Sequence, residues 1–239
     1  MFRLGLNVFI VEKRNLLNHS IRKKLIYEPV TFLTNIPLII LATIYGYSIL
    51  GIYYKTLHLF HFNFAGSFFS LALASFLGAI FHGFGPHFRT VIRERVWKFV
   101  LICLGLAFFF NLNAAFSVML SKEIYTIYFF FCVLGLLAFL FQTFKFNGFG
   151  HSIKFFTISH LLIIIVFLLL TIKSFDRGYF YILLSCLLTT IAGSLWMTGW
   201  SLSKKFNNND LFHLVQILSI WLIYRGIILI NDSHFISII

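Results

Sequence analysis

Seven long apolar runs, separated by short stretches that carry most of the charge, set the pattern of this chain, at approximately 29–50, 64–83, 97–120, 124–143, 153–173, 179–200 and 211–230. A helix needs about 20 mainly apolar residues to cross roughly 30 Å of hydrocarbon, and lipid leaves no partner for an unpaired backbone amide. The runs are too long and continuous for the alternating strands of a barrel. The pattern therefore predicts an all-α membrane protein, a seven-transmembrane helix bundle. No long linker, low-complexity tract or internal repeat divides the runs, so residues 28–239 read as one seven-helix domain. Ahead of it, residues 1–27 alternate apolar and basic stretches, with no A-x-A-like cleavage site. They are expected to form an interfacial amphipathic segment rather than a removed signal.

Composition narrows the class further. The 239 residues are 60% hydrophobic, 20% aromatic and only 11% charged, which excludes a soluble surface of ordinary polarity. A net charge of +12 would suit nucleic acid, but the basic residues sit in the gaps between runs instead of on a separate domain, and no nucleic-acid partner is expected. An N-terminus in the cytoplasm places Arg3, Lys13, Arg14, Arg22, Lys23, Lys24, Arg89, Arg93, Arg95, Lys98, Lys145, Lys154, Lys204 and Lys205 inside. Mainly Lys55, Lys122, Lys173 and Arg177 remain outside, so the positive-inside rule gives N-in, C-out. The basic face would attract anionic headgroups. A bacterial inner (cytoplasmic) membrane is the expected location. Cys103, Cys132 and Cys186 lie within apolar runs without metal-type spacing and read as inert buried thiols. The polar connections hold turn signals, among them Asn147–Gly150 and an N-cap signal at Asn207–Asp210 before Leu211.

A polar side chain at membrane depth is costly enough to suggest function. With the N-terminus inside, Glu28, Asn35, His82, His87, Glu94, Asp210, His213 and Gln216 all fall in the cytoplasmic half. Glu28 and Asn35 are two turns apart on one face of the first helix, Ser75 lies two turns deeper than His82, and His213 and Gln216 are neighbours on the seventh. Imidazoles on facing helices can ligate Zn²⁺ and leave an open position for water, whose pKa the metal lowers to about 7. Glu28, Glu94 and Asp210 are the carboxylates available to take a proton or orient a ligand. Each has a plainer alternative: Glu28 before Pro29 can be a dipole-favoured helix start, and a lone histidine at a helix end can be interfacial. His58 and His61, expected in the first outer loop, and His234 lie on the other side.

At these residues the chain resembles the CREST superfamily of seven-helix membrane proteins, which includes alkaline ceramidases and the adiponectin and progestin receptors. The resemblance is carried by Glu28-Pro29-Val30-Thr31-Phe32-Leu33-Thr34-Asn35, by Gly78-Ala79-Ile80-Phe81-His82 and by Asp210-Leu211-Phe212-His213. It implies that His82 and His213 are zinc ligands of a hydrolase-like site. The chain departs from the superfamily pattern at Gly78, where a serine is usual and Ser75 is the nearest hydroxyl, at Asn209 in place of a second histidine, and at Arg93-Glu94 in place of an aspartate. His87, Asp210, Gln216 or Glu28 would have to complete a metal site.

The leading expectation is a divergent metal-dependent lipid hydrolase, cleaving an amide or ester at the cytoplasmic headgroup level. Glu28, Ser75 and Glu94 would be its catalytic candidates, His82, His213, His87 and Asp210 its metal ligands, and Asn35 and Gln216 its supporting polar groups. The alternative is a non-catalytic bundle that binds lipid or a partner membrane protein, its polar residues acting as interhelical glue. A haem protein using His82 with His213 as axial ligands is a third class.

Overall fold

The computed structural model describes residues 25–146, 150–203 and 206–230. Most of the expected interfacial segment 1–27, the turn at 147–149, Lys204, Lys205 and His234 lie outside the described residues. The described residues form seven helices: α1 Pro29–Thr56, α2 Leu59–Phe84, α3 Thr90–Ser117, α4 Lys122–Lys145, α5 Gly150–Ser174, α6 Arg177–Met197 and α7 Asn208–Leu229. A single 3-10 turn, Gly85–His87, joins α2 to α3. All seven helices are long and apolar enough to span a bilayer, so this is a multi-pass integral membrane protein.

Several helices outrun the apolar runs that signal them. The third begins at Thr90 rather than near 97, because Arg93, Glu94 and Arg95 are good helix formers that extend the span into the aqueous boundary. The second begins at Leu59, which moves His61 out of the expected outer loop and into the first turn of α2, where it is buried. Phe60 packs into the core and draws the neighbouring histidine in with it.

Six helices close a ring in which α1 packs on α2, α2 on α3, α3 on α5, α5 on α6, α6 on α7, and α7 returns to α1. The fourth helix lies outside, against α3 and more weakly α5, and only its Phe139 and Thr143 are buried. Phe139 is seated where a side chain on Gly105 would stand, so that glycine is the slot that docks α4. At the α6–α7 crossing a Cβ on Gly226 would lie 2.7 Å from the carbonyl oxygen of Gly178, so the two backbones are in contact there. The core of the ring is built from Ala42, Ile49, Phe64, Phe167, Tyr179, Ile220 and Ile227.

Seven antiparallel crossings put the start of α1, the end of α2, and the starts of α3 and α7 at one end of the bundle. There the residues preceding α1 are fastened to the end of α2. Tyr27 N–H donates to the Gly83 carbonyl at 2.9 Å and Glu28 N–H to the His82 carbonyl at 3.2 Å. These bonds satisfy carbonyls that a helix end otherwise leaves without a partner.

Candidate functional site

Glu28 is the N-cap residue of α1 and Pro29 occupies the first helical position, as the sequence suggests, yet the Glu28 side chain does not cap its own helix. It turns to α2, where its Oε2 lies 2.8 Å from His82 Nδ1. This bond holds the Glu28 carboxyl below its ordinary value of 4.5, and it outweighs burial, which acts in the opposite direction. A carboxylate accepts only, so His82 Nδ1 donates to it, and the neutral form of the ring has its lone pair at Nε2.

The start of α7 is fixed by a capping box. The Asn207 side chain accepts from the backbone N–H groups of Asn209 and Asp210, and Asp210 Oδ2 accepts from Asn207 N–H at 2.7 Å. The other carboxyl oxygen, Oδ1, accepts from the hydroxyl of Thr31 on α1 at 2.7 Å. Both partners are fully buried, with Thr31 1% and Asp210 0% exposed. Asn207 Nδ2 closes the loop by donating to Thr31 Oγ1 at 3.3 Å. One buried carboxyl thus anchors α7 to α1.

One turn further along α7, His213 Nδ1 lies 2.9 Å from Thr34 Oγ1 and 3.4 Å from Asn35 Nδ2. The Asn35 amide nitrogen is donor only, but the Thr34 hydroxyl, which has a single proton, also lies 3.1 Å from the Thr31 carbonyl, so His213 Nδ1 either accepts from both neighbours or donates to Thr34 Oγ1. The His213 ring stands edge-on to that of His82, with centroids 6.4 Å apart. Both Nδ1 atoms are engaged at the start of α1, one by Glu28 and the other by Thr34 and Asn35, and among the described residues no hydrogen bond reaches either Nε2.

The structure gathers Glu28, Asn35, His82, Asp210 and His213 at one end of the bundle, as the sequence suggests. It does not gather the rest. His87 is exposed in the 3-10 turn and Glu94 is exposed on α3. Ser75 is buried on α2 but takes no part in these hydrogen bonds, and among the described residues none joins Gln216 to the cluster. Thr31, Thr34 and Asn207 were not singled out as site residues from the sequence. Their signal is spacing: Thr31 and Asn35 follow Glu28 at i+3 and i+7, on one helical face.

The zinc site that the resemblance implies does not fit this donor set. Among the described residues no group of three His, Cys, Asp or Glu side chains is placed to hold a metal ion. Asn209, which stands where the superfamily has its second α7 histidine, is turned toward α6, its Oδ1 accepting from the Trp196 indole N–H at 2.7 Å. Both oxygens of Asp210 are engaged, Oδ2 within the cap and Oδ1 by Thr31. Two imidazoles remain, one short of the three protein ligands of a catalytic zinc centre.

No curated protein and no solved structure matches the chain. One family model matches it over residues 30–232, a span that takes in Thr31, Thr34, Asn35, His82, Asp210 and His213. By this match the chain belongs to the family of unknown function DUF6962.

Proposed function

We propose that this protein binds a lipid through its polar head, receiving a hydroxyl group between His82 and His213 at the end of the α1–α2–α7 cluster. The observation that carries the proposal is the pair of neighbouring imidazoles, each held through Nδ1 at the start of α1, with Nε2 left to a ligand. A hydroxyl donates to the His82 Nε2 lone pair and accepts from His213 Nε2–H, so a single small group satisfies both. In this scheme Glu28 accepts from His82 Nδ1–H, Thr34 and Asn35 donate to His213 Nδ1, whose ring then carries its proton on Nε2, and no metal enters. The site lies at the level where helices enter and leave the bilayer, which is where a lipid head resides. Apolar side chains such as Phe32, Phe81 and Phe84 near this end offer a wall for the acyl chains. The positive-inside pattern supports a cytoplasm-facing site, and we place the bundle in a bacterial inner membrane with its N-terminus inside.

The test is lipid retention by the purified full-length protein in nanodiscs, wild type beside His82→Ala and His213→Ala, read by native mass spectrometry. Hydroxyl-bearing lipids are expected to stay with the wild type and to be lost from both variants that remain folded. Equal retention by all three would overturn the proposal. Elemental analysis of the same samples is expected to find no stoichiometric zinc; zinc bound by the wild type and lost from both variants would restore the metal site.

A hydrolase is favoured by one specific observation, the Glu28–His82 pair, in which a carboxylate orients an imidazole for use as a general base. Water in place of the ligand hydroxyl would give its proton to His82 Nε2 as its oxygen attacks an ester or amide carbonyl. The developing oxyanion would accept from His213 Nε2–H, and His82 would return the proton to the leaving group. Release of fatty acid or amine from bound lipid, abolished in His82→Ala, separates this activity from binding alone.

A further inference from the structure

Resting on the headgroup proposal above, we infer that the lipid head carries a phosphate linked to its hydroxyl, and that Arg93 is the residue that reads the phosphate. His82 is followed within three residues by the Gly85–His87 turn, after which α3 folds back along α2. The stem of Arg93 lies on that turn: its Cγ and Cδ are each 3.8 Å from the position a Cβ on Gly85 would take. Gly85 is buried beneath it, while Arg93 itself is exposed. The aliphatic part of the side chain is thus laid along the turn that adjoins the site, leaving the guanidinium in the polar boundary layer. One turn on, Trp97 packs against Phe81, the neighbour of His82, with ring centroids 5.0 Å apart, and this contact fixes α3 against the site-bearing end of α2.

Among the described residues Arg89, Arg93 and Arg95 outnumber the one exposed carboxylate beside them, Glu94. Glu28 is bonded to His82 and Asp210 lies within the α7 cap. Among the described residues no carboxylate is within ion-pair distance of Arg89, Arg93 or Arg95. A guanidinium held in place without a carboxylate partner matches the bidentate geometry of a phosphate. The site therefore presents a donor–acceptor pair suited to a hydroxyl and, beyond the turn, a planar cation suited to a phosphate. The ligand chemistry that satisfies both is a polyol phosphate, either as the head of a lipid such as phosphatidylglycerol or as a soluble glycerol phosphate.

The experiment uses full-length protein in phosphatidylcholine nanodiscs challenged separately with phosphatidylglycerol, phosphatidic acid and diacylglycerol, and with soluble glycerol 3-phosphate as competitor. Variants are Arg93→Gln, Arg93→Lys, His82→Ala and, as a control at the opposite end of the bundle, Arg177→Gln. Wild type is expected to retain phosphatidylglycerol above the other three lipids. Arg93→Gln should weaken that retention about tenfold, Arg93→Lys by less, and Arg177→Gln not at all. Displacement by glycerol 3-phosphate, with direct binding of it, would support the chemistry and assign it a soluble source; failure to displace would assign it to the lipid. If diacylglycerol is held as well as phosphatidylglycerol and Arg93→Gln changes nothing, the phosphate assignment is overturned while the hydroxyl site stands. If His82→Ala, shown to be folded, retains every lipid as the wild type does, the headgroup site itself falls.

Discussion

The bond between Thr31 and Asp210 joins the first and last helices of the ring, and its worth can be measured with a double-mutant cycle. Asp210→Asn replaces one carboxyl oxygen with a donor, so the side chain must either fail to accept from Thr31 or oppose the Asn207 N–H of the capping box. Loss of a hydrogen bond to a charged group costs about 1.5–3 kcal/mol, and a buried donor left without a partner adds about 1–3 kcal/mol. A total near 3 kcal/mol is expected at this fully buried position. Thr31→Val keeps the shape and removes the hydroxyl, for an expected loss of about 2 kcal/mol from the same bond and from the Asn207 contact. Neutral interhelical bonds in membranes average about 0.6 kcal/mol with a maximum near 1.7, and a charge-assisted bond of 2.7 Å belongs at the upper end. The double variant should therefore be about 1.5 kcal/mol less destabilised than the sum of the two single ones. The assay is equilibrium unfolding in mixed micelles, followed by loss of helical signal. Additivity within about 0.5 kcal/mol would refute the coupling and, with it, the role of Asp210 as the α1–α7 anchor.

Other substitutions probe the packing and the site. Gly226→Ala brings a methyl group to 2.7 Å from the Gly178 carbonyl oxygen and is expected to cost about 1–3 kcal/mol in the same unfolding assay. Gly135→Ala on the outward α4, with nothing within 4 Å of its Cβ, is the control and should be neutral or stabilising; equal losses at both would refute the close α6–α7 approach. Gly78→Ser introduces a hydroxyl at the end of α2. A Cβ there stands 3.5 Å from Asn35 Oδ1, so the substitution should fold normally and tighten this end of the bundle, and a large drop in stability would show that the space is not there. Glu28 has a lowered folded pKa, so its pairing contributes stability above its ordinary value of 4.5 and loses it as pH falls through the lower folded value. The stability gap between wild type and Glu28→Gln should accordingly be constant near neutral pH and close in the acid range below about 4.5; a gap that persists there would contradict the pairing.

Some of this protein follows from its sequence because the physics is local. Apolar runs near the length of a bilayer crossing must be helices, since no other arrangement within a single segment satisfies the backbone in lipid. Asn207 followed at the third position by Asp210 forms a capping box, because the bonds are made within one turn. The heptad spacing of Glu28 and Asn35 fixes a shared face regardless of what lies opposite. Interactions between helices are of another kind. That α4 stands outside a six-helix ring depends on the slot at Gly105, and the apolar character of α4 is the same whether lipid or protein covers it. His61 reads as a loop residue until the packing of Phe60 shows where α2 begins. Asn209 and Asp210 are adjacent in the chain and diverge in space, one to Trp196 on α6 and the other to Thr31 on α1, because a 100° step around a helix sends neighbours to different partners. The same step separates His213 from the cap and delivers it to Thr34 and Asn35. Sequence could bring two histidines to one end of a bundle. Only the tertiary structure decided their partners, giving one ring the Glu28 carboxylate and the other Thr34 and Asn35, because those contacts are made between helices.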